Sequence, residues 1–251
     1  MNTTLITAAG GNGTAIEILD NAISRDEYIV RGKALGDDME KDGAEQAGFL
    51  ISSQMHFEMA GGEFCGNASR AAAALFSEAE GRSEVAFTVS GFEGTVNSTV
   101  AKKSDTLYNV RCEFPGMPTD VREVALDDGR EASIVDLGGI VHVVIDGGFP
   151  SEASAYQDAH RAIMNQFNLS GREAVGVVWF DRLNEGGVSI HPVVWVKAVD
   201  TFFYETSCGS GTIATSRVTG MTDIIQPTGK AIKAEITPDR VILESEMEVV
   251  R

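Results

Sequence analysis

Two stretches of the chain place a cysteine and a glycine just ahead of a run that can start a helix. They are Gly61-Gly62-Glu63-Phe64-Cys65-Gly66-Asn67-Ala68-Ser69-Arg70 and Tyr204-Glu205-Thr206-Ser207-Cys208-Gly209-Ser210-Gly211-Thr212. Backbone N–H groups at a helix start lack partners, and the helix dipole favours negative charge there. Such a position holds an anion and lowers a thiol's pKa. One such cysteine in each half of the chain points to two acid–base thiols facing one small substrate. An amino acid's α-proton is weakly acidic, so inverting that carbon needs a base on one face, an acid on the other, and stabilisation of the carbanion between them. Two helix starts aimed at one α-carboxylate would provide that stabilisation without a pyridoxal cofactor. The third cysteine, in Val110-Arg111-Cys112-Glu113, reads as a small core residue within a strand.

The elements that must carry these loops follow from hydrophobic periodicity and turn residues. In the first half, strands are expected at Thr4–Ala8 and Ala15–Leu19, with Gly10-Gly11-Asn12-Gly13 as the turn between them. Further strands are expected at Phe49–Ser52 and Met55–Met59, then a helix over Ala68–Phe76. A meander follows at Val85–Val89, Thr95–Val100 and Tyr108–Glu113. Pro115-Gly116-Met117-Pro118 punctuates the pattern and marks a domain boundary. The second half repeats the plan, with strands at Ser133–Leu137 and Val141–Ile145 and a helix from about Ser151 to Phe167. Strands at Val175–Phe180 and Val188–Val196 precede a helix over Thr212–Val218. Asp239 to Val250 reads as two short strands that return to the first domain. The domains expected are therefore 1–114 plus 239–251, carrying Cys65, and 115–238, carrying Cys208.

Composition narrows the function classes. The chain has 251 residues, enough for two compact domains, and at 43% hydrophobic and 23% charged it reads as an ordinary globular protein. A net charge of −17 repels phosphate backbones and anionic lipid, which argues against nucleic acid or a membrane surface as partner. No cysteine forms a CxxC pair, and none of the four histidines stands at metal-ligand spacing from a cysteine, so no metal is expected. Neither a dinucleotide nor a P-loop signature occurs. No signal peptide is read at the start, and the apolar runs are too short to span a bilayer. The cytoplasm, where free thiols survive and a Cys65–Cys208 disulfide would not be the resting state, is the expected setting.

Five short motifs in order carry a resemblance. Gly11-Asn12-Gly13, Gly43-Ala44-Glu45-Gln46, Cys65-Gly66-Asn67, Cys208-Gly209-Ser210-Gly211 and Gln226-Pro227-Thr228-Gly229 together resemble the diaminopimelate epimerase superfamily, the pyridoxal-independent two-cysteine racemases and epimerases. The resemblance runs nearly end to end. It implies an α+β fold of two pseudo-symmetric α/β domains, each a mostly antiparallel sheet or barrel around a central helix, with the site between them. It implies no cofactor and an amino-acid substrate, and it is compatible with a homodimer. By position, Cys65 and Cys208 would be the two bases. Amides of Gly66, Asn67, Gly209 and Ser210 would grip the α-carboxylate, and Asn12, Gln46 and Glu205 would complete the substrate site. His142 falls where the family's Gly-Asn-Pro-His histidine assists one thiol, against the plainer reading of a packed histidine. Asp200 takes the place of the glutamate that assists the other thiol, against a surface aspartate, although one residue is missing between Thr206 and Cys208.

The departures from the pattern bear on the substrate. The family's arginine for a distal carboxylate is Thr201 here, and its asparagines fall at Gly139-Ile140-Val141 and near Ala174 and Val175. A buried carboxylate without its guanidinium partner costs on the order of 3–5 kcal/mol, which disfavours diaminopimelate. Phe202, Phe203 and Tyr204 suit a flat or apolar side chain, though they serve equally as core. The wording Ala60–Asn67 and Phe203–Gly211 resembles the histidine racemase branch, so L- and D-histidine rank first. Two alternatives stand beside it: a diaminopimelate epimerase with unusual distal recognition, and a non-catalytic binding protein of the same fold.

Overall fold

The structure is a computed structural model and describes residues 3–184, 186–198 and 200–250. Residues 1, 2, 185, 199 and 251, which the expected domain ranges include, lie outside the described residues. The first lobe contains β1 (Thr3–Ala8), β2 (Gly11–Leu19), α1 (Arg25–Met39), β3 (Ala44–Ile51), β4 (His56–Met59), α2 (Gly66–Glu80), β5 (Glu84–Val89), β6 (Val96–Lys102) and β7 (Leu107–Pro115). The second contains β8 (Asp120–Ala125), β9 (Glu131–Asp136), β10 (Val141–Asp146), α3 (Ala153–Gln166), β11 (Ala174–Arg182), β12 (Val188–Val196), β13 (Thr201–Tyr204), α4 (Gly209–Thr219), β14 (Asp223–Ile225) and β15 (Ala231–Thr237). The last strand, β16 (Arg240–Val249), joins both.

The lobes repeat one topology. In the first, β2 runs parallel to β3 through the α1 crossover, β3 is antiparallel to β4, and β4 runs parallel to β5 through the α2 crossover. In the second, β10 and β11 are parallel around α3, β11 and β12 are antiparallel, and β12 and β14 are parallel around α4. A parallel connection needs a crossover, and here each crossover is a helix. The first helix of each lobe packs outside its sheet, α1 on β3 and α3 on β11 and β12, whereas α2 and α4 run through the middle. The alanine-rich face of α2 (Ala71 to Ala74) and Phe76 are wholly buried against the surrounding strands, because alanine lets strands close tightly around a helix.

Strand β16 pairs with β7 from Arg240 to Glu248. On its other edge, Val241–Glu244 meet β15 and Met247–Val249 meet β1. The β1–β16 pairing closes the first lobe into a ring of strands around α2, and the sheet path continues without a break into the second. The terminal stretch is therefore one strand of ten residues and not the expected two short ones. Val241, Ile242 and Leu243 are buried, the strand alternates from Leu243 through Ser245 and Met247 with more exposed glutamates, and no turn residue interrupts it.

Helix α1 is nucleated by a capping box in which Ser24 and the carboxylate of Glu27 satisfy each other's backbone amides. Among the described residues no helix is long and apolar enough to cross a membrane.

Candidate active site

Both cysteines cap helices in the same way. Cys65 precedes α2 with φ −132° and ψ 111°, and Cys208 precedes α4 with φ −137° and ψ 107°. Each sulfur accepts the amide three residues on, Ala68 N–H and Gly211 N–H, both at 3.4 Å. The helices thus begin directly after the cysteines, at Gly66 and Gly209 rather than at the expected Ala68 and Thr212, because the extended N-cap residue itself satisfies an orphan amide.

The two helix starts meet head to head. A Cβ on Gly66 would lie 3.3 Å from Gly209 Cα, and one on Gly209 would lie 3.1 Å from the Gly66 carbonyl carbon. Only glycine at both positions permits that approach. Asn67 fastens the junction by donating from Nδ2 to the Ser207 carbonyl at 2.7 Å. Cys65, Gly66, Asn67, Cys208, Gly209 and Ser210 all line one cleft of about 900 Å³ between the lobes.

The thiols differ in their other partners. Cys65 is part-exposed and donates to Gln46 Oε1 at 3.3 Å, and Gln46 is held in turn by Thr14 Oγ1. Cys208 is buried, with Ser210 Oγ 3.6 Å from its sulfur. Its backbone N–H donates to Gln226 Oε1 at 2.8 Å, and Gln226 also donates to Thr212 Oγ1 and the Ile224 carbonyl.

Three carboxylates line the cleft. Glu205 is buried, accepts from Asn12 Nδ2, and has its carboxyl pushed up to about 8 by burial and by the charge of Glu45. Glu45 accepts from Thr206 Oγ1 at 3.1 Å, and Thr206 also accepts from the Asn12 amide. Glu63 is raised by burial too, and its Oε2 has no hydrogen-bond partner. Burial pushes the Cys65 thiol up to about 12 and raises Cys208 as well, with Glu205 adding to both and the helix amides opposing. Without a substrate, both sulfurs are neutral thiols held where a positive ligand group and the helix dipoles can ionise one of them.

The expected site residues separate into groups. Gln46, Glu205 and the residues of both Cys-Gly loops line the cleft. Asn12 stands behind it and positions Glu205 and Thr206. His142 does not line the cleft and bonds to neither thiol. It is fully buried on β10, its ring lies against the backbone of Gly176, and neither ring nitrogen has a hydrogen-bond partner. Burial pushes it down to about 3, so it is a neutral core side chain. Asp200 is exposed and off the cleft, in a turn at φ 47°, where it accepts from Trp195 Nε1 at 2.8 Å. A short polar side chain tolerates that left-handed conformation. Sequence reasoning assigned no role to Glu45, Glu63, Tyr156 or Gln226. Glu45, Glu63 and Gln226 stand within the recognisable motifs, but only folding brings them to the cleft and the thiol loops. Among the described residues no cluster of His, Cys, Asp and Glu is arranged to hold a metal ion.

A family model described as the histidine racemase CntK N-terminal domain matches residues 27–239. The chain belongs to this family. The matched span contains both Cys-Gly loops, Glu45, Gln46 and Glu205, while Asn12 precedes it. A histidine racemase of Fusobacterium nucleatum subsp. nucleatum is 29% identical over 222 residues, covering 82% of this chain and 80% of that protein. Among solved structures, a PhzF-family phenazine biosynthesis protein of Bacillus anthracis aligns with a TM-score of 0.62 at 9% identity, over 100% of this chain and 98% of that one. A hydroxyproline epimerase from Agrobacterium vitis, solved with bound trans-4-hydroxy-L-proline, aligns with a TM-score of 0.58 at 12% identity, over 98% and 88%. These structures share the fold that the histidine racemase family uses here.

Proposed function

We propose that this protein is a cofactor-independent amino-acid racemase that interconverts L- and D-histidine, with Cys65 and Cys208 as paired base and acid. The observation that carries this reading is the head-to-head meeting of two thiol-capped helices in one cleft. A carboxylate seated there accepts N–H groups from both helix starts, including those of Gly66, Asn67, Gly209 and Ser210. This places the Cα next to the carboxylate within reach of both capping sulfurs. One sulfur, as thiolate, takes the α-proton while the other, as thiol, delivers a proton to the opposite face. The reverse reaction exchanges the roles. The helix dipoles stabilise the negative charge that spreads onto the carboxylate as the proton leaves.

The acidic side of the cleft suits the rest of the substrate. Glu205 and Glu45 offer acceptors for an α-ammonium, whose charge also lowers the thiol pKa values that burial has raised. Glu63, Tyr156, Phe202 and Tyr204 surround the remaining space with one carboxylate and flat rings, which fits an imidazole. The family and the named relatives support histidine over diaminopimelate, as does the absence of an arginine for a distal carboxylate. A cytoplasmic setting keeps both thiols reduced. The test is incubation with single amino acids in D2O, reading α-deuterium by mass spectrometry and D-histidine by chiral chromatography. Exchange confined to histidine is expected. Exchange in diaminopimelate alone would replace the substrate, and none in any amino acid under reducing conditions would sink the enzymatic reading.

A further inference from the structure

Arg70 is the only lysine or arginine with a fully buried side chain among the described residues. It lies on α2, five residues after Cys65. Its Nη2 donates to Asn67 Oδ1, at 2.5 Å, and its Nε and Nη1 have no hydrogen-bond partner. No carboxylate pairs with it. The ionisable groups whose charge favours its protonated form are all cysteines: Cys112, then Cys65, then Cys208. A buried guanidinium without a counter-anion is costly, and a structural role alone would be served by an apolar residue of similar size. The second lobe shows that substitution: the fifth residue after Cys208 is Ile213, which is also fully buried.

We infer that Arg70 is a positioning residue that biases the negative charge of the thiol pair toward Cys65 and orients Asn67 across the junction. The inference rests on the two-thiol reading above. Asn67 links the cation to the second loop: its oxygen faces Arg70 and its nitrogen holds the Ser207 carbonyl, next to Cys208. A guanidinium donor on Oδ1 fixes the amide's orientation, so Nδ2 can only point at Ser207. In a site of low dielectric, a fixed positive charge also lowers the energy of a thiolate. Burial, Glu205 and Glu63 oppose ionisation of Cys65, while the Ala68 and Asn67 amides favour it. Arg70 adds the only fully buried positive charge among the described residues. The first lobe thereby supplies the thiol that ionises first and the second the thiol that keeps its proton. Cys112, buried on β7 and bonded to Ser98 Oγ at 3.1 Å, shares the cation but does not line the cleft.

The test is alkylation by iodoacetamide, read separately at each cysteine by peptide mass spectrometry across pH, with no substrate present. In the parent protein, Cys65 is expected to react with a lower pH dependence midpoint than Cys208. Arg70→Met should slow Cys65 labelling at pH 8 about tenfold, the change in thiolate fraction for one pKa unit, and Arg70→Lys should restore most of it. A folded Arg70→Met variant with Cys65 labelling within about twofold of the parent would overturn the inference. So would a parent in which Cys208 titrates first, a result available even if Arg70→Met does not fold. Because labelling needs no turnover, failure here is distinguishable from failure of the racemase reading, which the deuterium exchange reports on the parent alone.

Discussion

The two cysteine loops share a backbone and differ in what surrounds it. Their N-cap angles agree within about five degrees, and each sulfur accepts the same relative amide at 3.4 Å. Yet Cys65 is part-exposed, with a neutral amide partner and a cation one turn deeper, whereas Cys208 is buried beside a hydroxyl with isoleucine at the matching depth. The lobes also differ in what they bury elsewhere. The first buries a permanent charge, and the second buries His142 and His160, both kept neutral by burial. Pseudo-symmetry repeats the capped-thiol geometry, and the side chains around it break the symmetry and give the two thiols different surroundings.

The largest test of that comparison removes each sulfur in turn. Cys65→Ser and Cys208→Ser should each lower histidine racemisation at least about a thousandfold in both directions, because either direction uses both groups. Substantial activity in one variant only would make the loops unequal in kind.

Acid stability sharpens the contrast between the lobes. His142 titrates near 6.5 when unfolded and at about 3 when folded. The unfolded chain binds the extra proton between those values, so stability is intact above 6.5 and falls as pH drops toward 3. The loss attributable to this group is on the order of 3 kcal/mol, and His142→Leu should flatten the acid limb of a urea-denaturation series by that amount. Amide exchange at pH 4 to 5 should loosen the second lobe before the first.

Cutting the link between the loops comes next. Asn67→Ala leaves the Ser207 carbonyl and the Arg70 guanidinium without a buried partner, and should cost about 1–3 kcal/mol in thermal or chemical denaturation.

The smallest effect is a break in a profile. Glu205 is neutral below about pH 8 and charged above it, and its charge raises both thiols. The rise of Cys65 alkylation with pH should therefore weaken above pH 8 in the parent. It should continue straight in Glu205→Gln, with a gap of up to about tenfold at pH 9. An unbroken parent profile would place the Glu205 charge elsewhere.

Much of the chemistry was legible because it is local. A cysteine, a glycine and a helix-forming run specify a capped thiol wherever they fold, and the order of motifs around Cys65 and Cys208 points to the superfamily fold. The meander also follows from alternation such as that in Val85–Val89, and Val175–Phe180 reads as a strand from its unbroken apolar run. Other elements escape periodicity. Helix α1 carries a capping box at Ser24, but Gly32, Gly36 and paired aspartates dilute its apolar stripe. His142 and Asp200 occupy positions that a motif can match, while their surroundings depend on which face of β10 turns inward and how the turn before β13 is wound. Glu45 and Glu63 reach the cleft only through tertiary placement, which spacing along the chain does not encode.

Strand β16 has a consequence for how the protein is made. The ring around α2 begins with residue 3 and closes only when Met247–Val249 dock on β1, while β15 in the other lobe waits for Val241–Glu244. On a ribosome, neither half can finish its sheet until β16, which follows all the other strands of both lobes, has emerged, so neither matures before the other. Such long-range closure slows folding and leaves the edges of β1, β7 and β15 open to wrong partners for as long as translation takes.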